Sequence, residues 1–215
     1  MAVTMADISH LRKMSGAGMM DCKKALEEAG NDFDKAMEII RKKGQAVAAK
    51  RSDREASEGC VLAAENAGFA AIVALKCETD FVAKNEQFVA LTQDILNVAM
   101  SVKPETVEAL LASPLADGRA IQEHITDRVG VTGEKMELGF YQFVNGASSV
   151  SYIHPGNKLA TIVAFNEAVD HTVARDVAMQ VAAMNPVAVR AEEVPQNVID
   201  TEMEIARDKA RQSGK

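Results

Sequence analysis

Apolar residues recur with a helical period at the start of this chain and with a strand period further on. Between residues 5 and 44 they return every three or four positions, which places them on one face of a helix. From residue 59 the apolar runs are short, and Asn/Gly or Pro/Gly turns separate them, as in antiparallel hairpins. Helices segregated from hairpins predict an α+β fold rather than a doubly wound parallel sheet.

The first part of the chain predicts a bundle of three short helices. The first helix is MADISHLRKM, and the two glycines of SGAGMMD end it. A second helix is predicted from about Met20 to near Gly30, and a third begins at Asn31 or Asp32 and stops at Gly44. The residues that follow, QAVAAKRSDREASE, lack a sustained apolar face. They predict a solvated, partly helical and mobile linker.

Two hairpins and several helices are predicted beyond the linker. GCVLAAE and FAAIVALKCE form the first hairpin, EKMELGFYQFVN is a further strand, and SSVSYIHP and NKLATIVAFNE form the second hairpin around a turn at residues 154–157. Helical patterns occupy NEQFVALTQDILNVAM, ETVEALLA, RAIQEHITDRVG, DHTVARDVAMQVAAMNP and the charged end of the chain.

The predicted organisation has three parts. They are a three-helix module with its linker (1–54), an antiparallel core subdomain with helices (55–145), and a second core subdomain with the last helix (146–215). Two-stranded ribbons are marginally stable alone. We therefore expect the second subdomain to lack a closing strand.

Charge and composition favour a protein partner over nucleic acid or membrane. Residues 51–215 carry fifteen Lys and Arg against twenty-four Asp and Glu, and aromatic residues make up 4% of the chain. Phosphate-backbone binding needs clustered basic residues, and single-strand binding needs stacking aromatics. No apolar run approaches the length of a membrane span, and the first residues do not form a signal peptide. We expect a cytoplasmic protein.

Motifs for side-chain catalysis, cofactors and metals are missing from the sequence. It contains no phosphate-binding loop, no nucleophile elbow and no zinc-protease motif. The chain has three cysteines and no C-x-x-C pair, which favours reduced cysteines packed in the interior over disulfides or a zinc site. The prediction is a protein that is not an enzyme and has no cofactor or bound metal.

Two stretches leave a functional question open. In GAGMMD, at most one of Met19 and Met20 can point inward, because adjacent positions on a helix diverge. The exposed one is either a loosely packed core residue or a flexible contact for a partner. In CETDFVAKN, Phe81 either folds back over its own hairpin or projects as an anchor for a partner's pocket, with Asp80 beside it.

These same stretches carry a resemblance to a known family. LRKMSGAGMMDCKKALEEAGNDFDKAMEIIRKKG resembles the N-terminal module of the bacterial elongation factor Ts family, and CETDFVAKNEQF resembles its T-D-F-V-A-x-N motif. SYIHPGNKLATIVAF and AMQVAAMNPVAV match later family segments more loosely. The resemblance implies a ubiquitin-associated-like three-helix module and a core of two related α+β subdomains.

The resemblance also implies a function. The family exchanges guanine nucleotides on elongation factor Tu: it binds the GDP-bound partner, speeds GDP release and leaves when GTP binds. By resemblance, Asp80 and Phe81 wedge into the partner's nucleotide domain and dislodge Mg²⁺, while Thr79 and Val82 shape the turn. The further contacts that the resemblance implies are Arg12, Met19, Met20 and His154.

The chain departs from the family pattern in two places. SGAGMM replaces TGAGMM, a mild change because Ser15 can cap like Thr. The chain also ends at RDKARQSGK, where longer members continue with a helix and a closing strand, so we expect a C-terminally truncated member. Whether two copies of the chain form a homodimer stays open. The alternative function is a non-catalytic adaptor that binds proteins through its three-helix module.

Overall fold

The computed structural model describes residues 2–66 and 68–214 and confirms the α+β prediction. The helices are α1 (Met5–Ser15), α2 (Met19–Glu28), α3 (Phe33–Arg51), α4 (Asp80–Ala83), α5 (Glu86–Val102), α6 (Val107–Ala112), α7 (Ile121–Thr132), α8 (His171–Met184) and α9 (Gln196–Gln212). The strands are β1 (Glu58–Asn66), β2 (Phe69–Cys77), β3 (Met136–Asn145), β4 (Ser148–Ile153) and β5 (Ala160–Phe165).

The three N-terminal helices enclose their own small core. Thr4 begins α1 with a capping box to Asp7, and Gly16 ends it in the left-handed conformation. Asp32 begins α3 by accepting a hydrogen bond from the Lys35 N–H. The side chains buried among these helices include Ile8, Leu11, Cys22, Leu26 and Ala36.

The prediction that the third helix stops at Gly44 is wrong, and of the linker predicted after it only residues 52–57 lie outside the helices and strands. Helix α3 continues without interruption to Arg51. Gly44 is buried at a close crossing with Gly130 of α7, and Val47 and Ala48 pack against the main core. Contact with α7 therefore stabilises this part of α3, and glycine serves as a small residue at a helix crossing rather than as a helix stop.

The first predicted hairpin is confirmed and becomes part of a three-stranded antiparallel sheet in the order β1-β2-β3. Val73, Leu75 and Cys77 of β2 are buried, as the strand alternation predicts. Helix α5 covers β1 and β2 with Phe88, Leu91 and Ile95 among its buried residues. This sheet and α5 to α7 form the largest core of the protein.

The second hairpin, β4–β5, forms a separate two-stranded antiparallel sheet. Its turn is the predicted one, closed by a hydrogen bond of 3.1 Å from the Asn157 N–H to the His154 carbonyl. Helix α8 packs on the hairpin around Val150, Ala174 and Ala178. The Val61 N–H of β1 donates to the Asn157 carbonyl at 2.7 Å, which ties this turn to the first sheet.

Helix α9 follows α8 and a short 3-10 turn at residues 191–193, and none of its residues is buried. Over residues 2–66 and 68–214, no helix has both the length and the apolar character needed to cross a membrane.

The crossing of α3 and α7 gives a test of the docked arrangement. A Cβ added at Gly130 would lie 2.5 Å from the Gly44 Cα, too close for real atoms. We expect Gly130→Ala to lower the free energy of unfolding by about 1–2 kcal/mol, because the strain of overpacking exceeds the gain in helix propensity. Urea unfolding followed by circular dichroism measures the change.

Gly44→Ala is the matched control for this prediction. Its added Cβ would lie 3.4 Å from the Gly130 Cα, which is ordinary van der Waals contact. We expect Gly44→Ala to be tolerated. Equal stability of Gly130→Ala and the parent would contradict the close crossing.

Candidate functional site

The predicted wedge lies on a short helix at the end of β2. Thr79 has extended backbone angles and caps α4, because its hydroxyl oxygen accepts a hydrogen bond from the Val82 N–H. On this helix Val82 packs against the main core, whereas Phe81 turns to solvent with 84% of its surface exposed. Of the two placements considered for Phe81, the structure has the outward one.

Residues 78 and 79, just before α4, form hydrogen bonds with residues 134 and 135, which follow the C-terminal end of α7. The Thr79 N–H and hydroxyl both donate to the Glu134 carboxylate, at 3.0 and 2.6 Å. In return, the Lys135 N–H donates to the Glu78 carboxylate at 2.7 Å. Residues 78–79 and 134–135 are therefore joined by reciprocal contacts between side chains and backbone, which fix where α4 begins.

Asp80 is the first residue of α4, and its carboxylate faces two lysines. Lys84, one turn further on, donates to the Asp80 carboxylate at 2.7 Å, and this hydrogen bond holds the Asp80 pKa below its usual value. The charge of Lys158 lowers that pKa further, and Lys158 itself pairs with Glu58 at 2.7 Å. An exposed ion pair of this kind contributes little to stability, so Asp80 can exchange its lysine for another donor.

His154 lies on the same flank as α4. It begins the β4–β5 turn, is exposed, and its Nδ1 lies 2.9 Å from the Tyr152 hydroxyl. Lys158 follows this turn and pairs with Glu58 at 2.7 Å, and Glu58 lies opposite Cys77 at the end of β2, so the turn and the start of α4 are neighbours. The structure thus brings together two candidate positions that are more than seventy residues apart in the sequence.

Arg12, Met19 and Met20 are all exposed on the N-terminal helices. The prediction that at most one methionine points inward holds, and the structure buries neither: Met19 is 42% exposed and Met20 is 62% exposed. Ala17, just before them, enters the core instead. The methionines therefore present flexible thioether side chains to solvent at the start of α2.

Arg128 of α7 connects these helices with the start of α5. Its guanidinium lies beside the α1–α2 loop, 3.7 Å from the position that a Cβ would take at Gly16. It donates to the side-chain oxygens of Gln87 at 2.6 Å and of Asn85 at 3.4 Å. Burial lowers the pKa of Arg128. One side chain therefore binds the segment after α4 and lies beside the loop before Met19.

Sequence reasoning missed Glu134 and Arg128. Each acts on residues 41 to 55 positions away in the sequence. A glutamate after a glycine and an arginine on an amphipathic helix carry no local signal of these contacts. Only the pairing of β3 with β2 and the packing of α7 bring them to the site.

The cysteines lie in the interior. Cys22, Cys60 and Cys77 are free and buried, and burial raises the pKa of the Cys77 thiol to about 12. In the described part of the chain, no three His, Cys, Asp or Glu side chains are grouped so that they could hold a metal ion. The exposed groups at the candidate site are thus an aromatic ring, thioethers and paired charges, which suit contact with another protein.

The chain matches a protein-family model and several known proteins along its length. The family model described as elongation factor TS matches residues 78–215. Elongation factor Ts of Porphyromonas gingivalis is 74% identical over 215 residues, which span this whole chain and 78% of that relative. The namesake of Azobacteroides pseudotrichonymphae is 56% identical over 216 residues, with the same coverage. That of Bacteroides fragilis is 60% identical over 212 residues, which are 98% of this chain and 64% of the relative.

These relatives define the class as translation elongation factors, which act in protein biosynthesis. Family resemblance at both quoted motifs and identity along the whole chain point the same way. The chain belongs to the elongation factor Ts family.

The reciprocal contacts below the wedge give a prediction about pH. The Lys135 N–H, and after it Arg54 and Arg51, hold the Glu78 pKa below its ordinary value of 4.5. A depressed carboxylate pKa stabilises the folded state above the unfolded-state pKa, and this stabilisation is lost as the pH falls. We expect Glu78→Gln to be less stable than the parent at pH 7 and the difference to shrink below pH 4.5.

Thermal unfolding of both proteins across this pH range measures the difference. Glu202→Gln, at an exposed carboxylate of α9, is the control and should leave the stability unchanged at every pH. A constant gap between Glu78→Gln and the parent down to low pH would contradict the ionic role.

Proposed function

We propose that this chain is a guanine-nucleotide exchange factor that binds elongation factor Tu carrying GDP and promotes GDP release. The observation that carries the proposal is the Phe81 ring, which is 84% exposed on a helix whose start is tied down by Glu134. A large apolar side chain held outward in this way favours insertion into a partner's pocket.

Burial of the Phe81 ring in a partner's pocket contributes favourably to the free energy of binding. Full burial of a phenylalanine side chain contributes about 1.5–3 kcal/mol. Because the capped helix already holds residue 81 in place, little backbone order has to be gained on binding, so less of that gain is lost to entropy. Phe81 has the character of a binding hot spot.

The proposed mechanism needs no covalent step. Phe81 wedges between elements of the partner's nucleotide domain, and Asp80 exchanges its Lys84 contact for groups of the partner. The displaced elements then release the partner's Mg²⁺, which removes the largest positive charge facing the GDP phosphates. The exchange factor binds the nucleotide-free partner more tightly than the GDP-bound one, and that difference in affinity drives GDP release.

The N-terminal module provides a second contact in this proposal. Arg12, Met19 and Met20 bind the partner's nucleotide domain, and His154 adds a contact beside the wedge. The close crossing of Gly44 and Gly130 supports this arrangement, because it holds the module on the core. Two contacts on one rigid frame bind more tightly than either contact alone.

The division into residues 1–54, 55–145 and 146–215 and the cytoplasmic location belong to the same proposal. Three separate clusters of buried side chains support such a division. Self-association stays an open prediction.

The wedge is tested by replacing its ring. We expect Phe81→Ala to weaken binding to nucleotide-free elongation factor Tu by about 2 kcal/mol, or roughly thirtyfold. It should also remove most of the acceleration of GDP release. Stopped-flow release of a fluorescent GDP analogue measures the rate, and thermal unfolding should show a parent-like melting temperature because the ring has few internal contacts to lose.

Phe140→Ala is the matched control, since Phe140 is also exposed (46%) but lies on β3. It should exchange GDP like the parent. Parent-like exchange by Phe81→Ala would refute the wedge. An absence of any exchange activity in the parent would favour the adaptor alternative.

The methionines are tested separately. We expect Met19→Ala or Met20→Ala to weaken complex formation about three- to tenfold while the melting temperature changes little, because both side chains are exposed. Met5→Ala is the control: Met5 begins α1 and is 62% exposed, as Met20 is. Isothermal titration calorimetry with elongation factor Tu measures the affinities. Equal losses in affinity and thermal stability would instead indicate a packing role.

A further inference from the structure

The direction of the Phe81 side chain depends on a residue outside its own segment. Glu134 accepts two hydrogen bonds from Thr79, one from the backbone N–H at 3.0 Å and one from the hydroxyl at 2.6 Å. Thr79 is the cap of α4, and Phe81 is the second residue of that helix. The carboxylate of Glu134 therefore fixes the point from which the proposed wedge projects.

The other polar groups of Thr79 are also in use. Its carbonyl accepts from the Ala83 N–H at 3.1 Å and from the Cys77 thiol at 3.2 Å. Its hydroxyl oxygen also accepts from the Val82 N–H at 3.4 Å. Because every polar group of this residue has a partner, rotation of α4 about its first residue would break several hydrogen bonds together.

Glu134 itself is held firmly. Gly133 ends α7 in the left-handed conformation with φ +74°, which turns the chain towards β3. The Glu134 N–H donates to the Thr132 hydroxyl at 3.2 Å, and the next N–H, that of Lys135, is bound by Glu78. The carboxylate thus projects from the rigid junction between α7 and β3, and α4 is fixed against this junction.

We propose that Glu134 is a positioning residue for nucleotide exchange: it holds α4 so that Phe81 meets the partner in a single orientation. This inference rests on the proposed exchange function. Without the carboxylate, the exposed area of Phe81 is unchanged, but α4 samples several directions, and the partner must select one of them. The effect of Glu134 on exchange therefore acts through the Phe81 ring.

The experiment is a double-mutant cycle between residues 134 and 81, read by GDP release from elongation factor Tu. We expect Glu134→Ala to lower the exchange efficiency about tenfold, the size of one hydrogen bond to a charged group. In a Phe81→Ala background the same change should have no further effect, because the group that Glu134 positions is gone. Glu134→Gln loses the charge and replaces one acceptor oxygen by an NH2 donor, so it should give a smaller loss of the same kind and provides the test if the alanine variant folds poorly.

Two controls separate positioning from stability. Glu123→Ala removes a carboxylate at the start of α7, which accepts from the Ala120 N–H at 3.0 Å but does not contact α4. It should lower the melting temperature without changing exchange. Thr79→Val, which removes the hydroxyl that donates to Glu134, should reproduce the loss seen in Glu134→Ala.

Amide hydrogen exchange gives a readout that does not involve the partner. The N–H groups of Ala83 and Lys84 are bonded within α4. They should exchange faster in Glu134→Ala and at the parent rate in Glu123→Ala, because only the former frees the start of the helix.

The outcomes distinguish this inference from the proposed function. If Phe81→Ala loses exchange but Glu134→Ala does not, positioning is refuted and the wedge stands. If the losses of Glu134→Ala and Phe81→Ala add in the double variant, Glu134 acts through general stability and positioning is refuted. If Phe81→Ala exchanges GDP like the parent, the proposed function fails, and this inference fails with it.

Discussion

The reciprocal contacts between residues 78–79 and 134–135 are the interaction on which the candidate site depends. They bring the end of β2 and the junction of α7 with β3 together, and each of the two connecting segments contributes a carboxylate that the other's backbone binds. Hydrogen bonds to ionised groups are about twice as strong as neutral ones. They allow a four-residue helix, too short to be stable alone, to hold an exposed aromatic ring in a defined place.

A second constraint holds the N-terminal helices against the core through α7. Gly44 and Gly130 let the backbones of α3 and α7 approach closely, and Arg128 spans from the α1–α2 loop to the start of α5. Helix α7 thus takes part in both constraints: its surface binds the N-terminal helices, and its end leads to Glu134. The exposed methionines and the exposed phenylalanine are parts of one framework, which suits a factor that acts by binding one state of its partner more tightly than another.

Hydrophobic period, turn residues and capping residues were sufficient to predict most of the elements. The α+β class, both hairpins and the order of the helices follow from them, because burial of one face is a local property of the sequence. The prediction failed at Gly44. Glycine usually ends a helix, and the residues after it lack a sustained apolar face, but a close helix crossing needs only small residues, and that requirement is set by the partner helix.

The candidate site, like the fold, could be predicted from the sequence only in part. The sequence by itself determined that Thr79, Asp80 and Phe81 stand at a connection and that two methionines open a helix, and its motifs identified the family. Only the tertiary structure decided that Phe81 points outward, that neither methionine is buried, and that Glu134 and Arg128 hold the site. The reason is physical: exposure and long-range hydrogen bonds depend on which distant segments pack together, and no local pattern of residues records that.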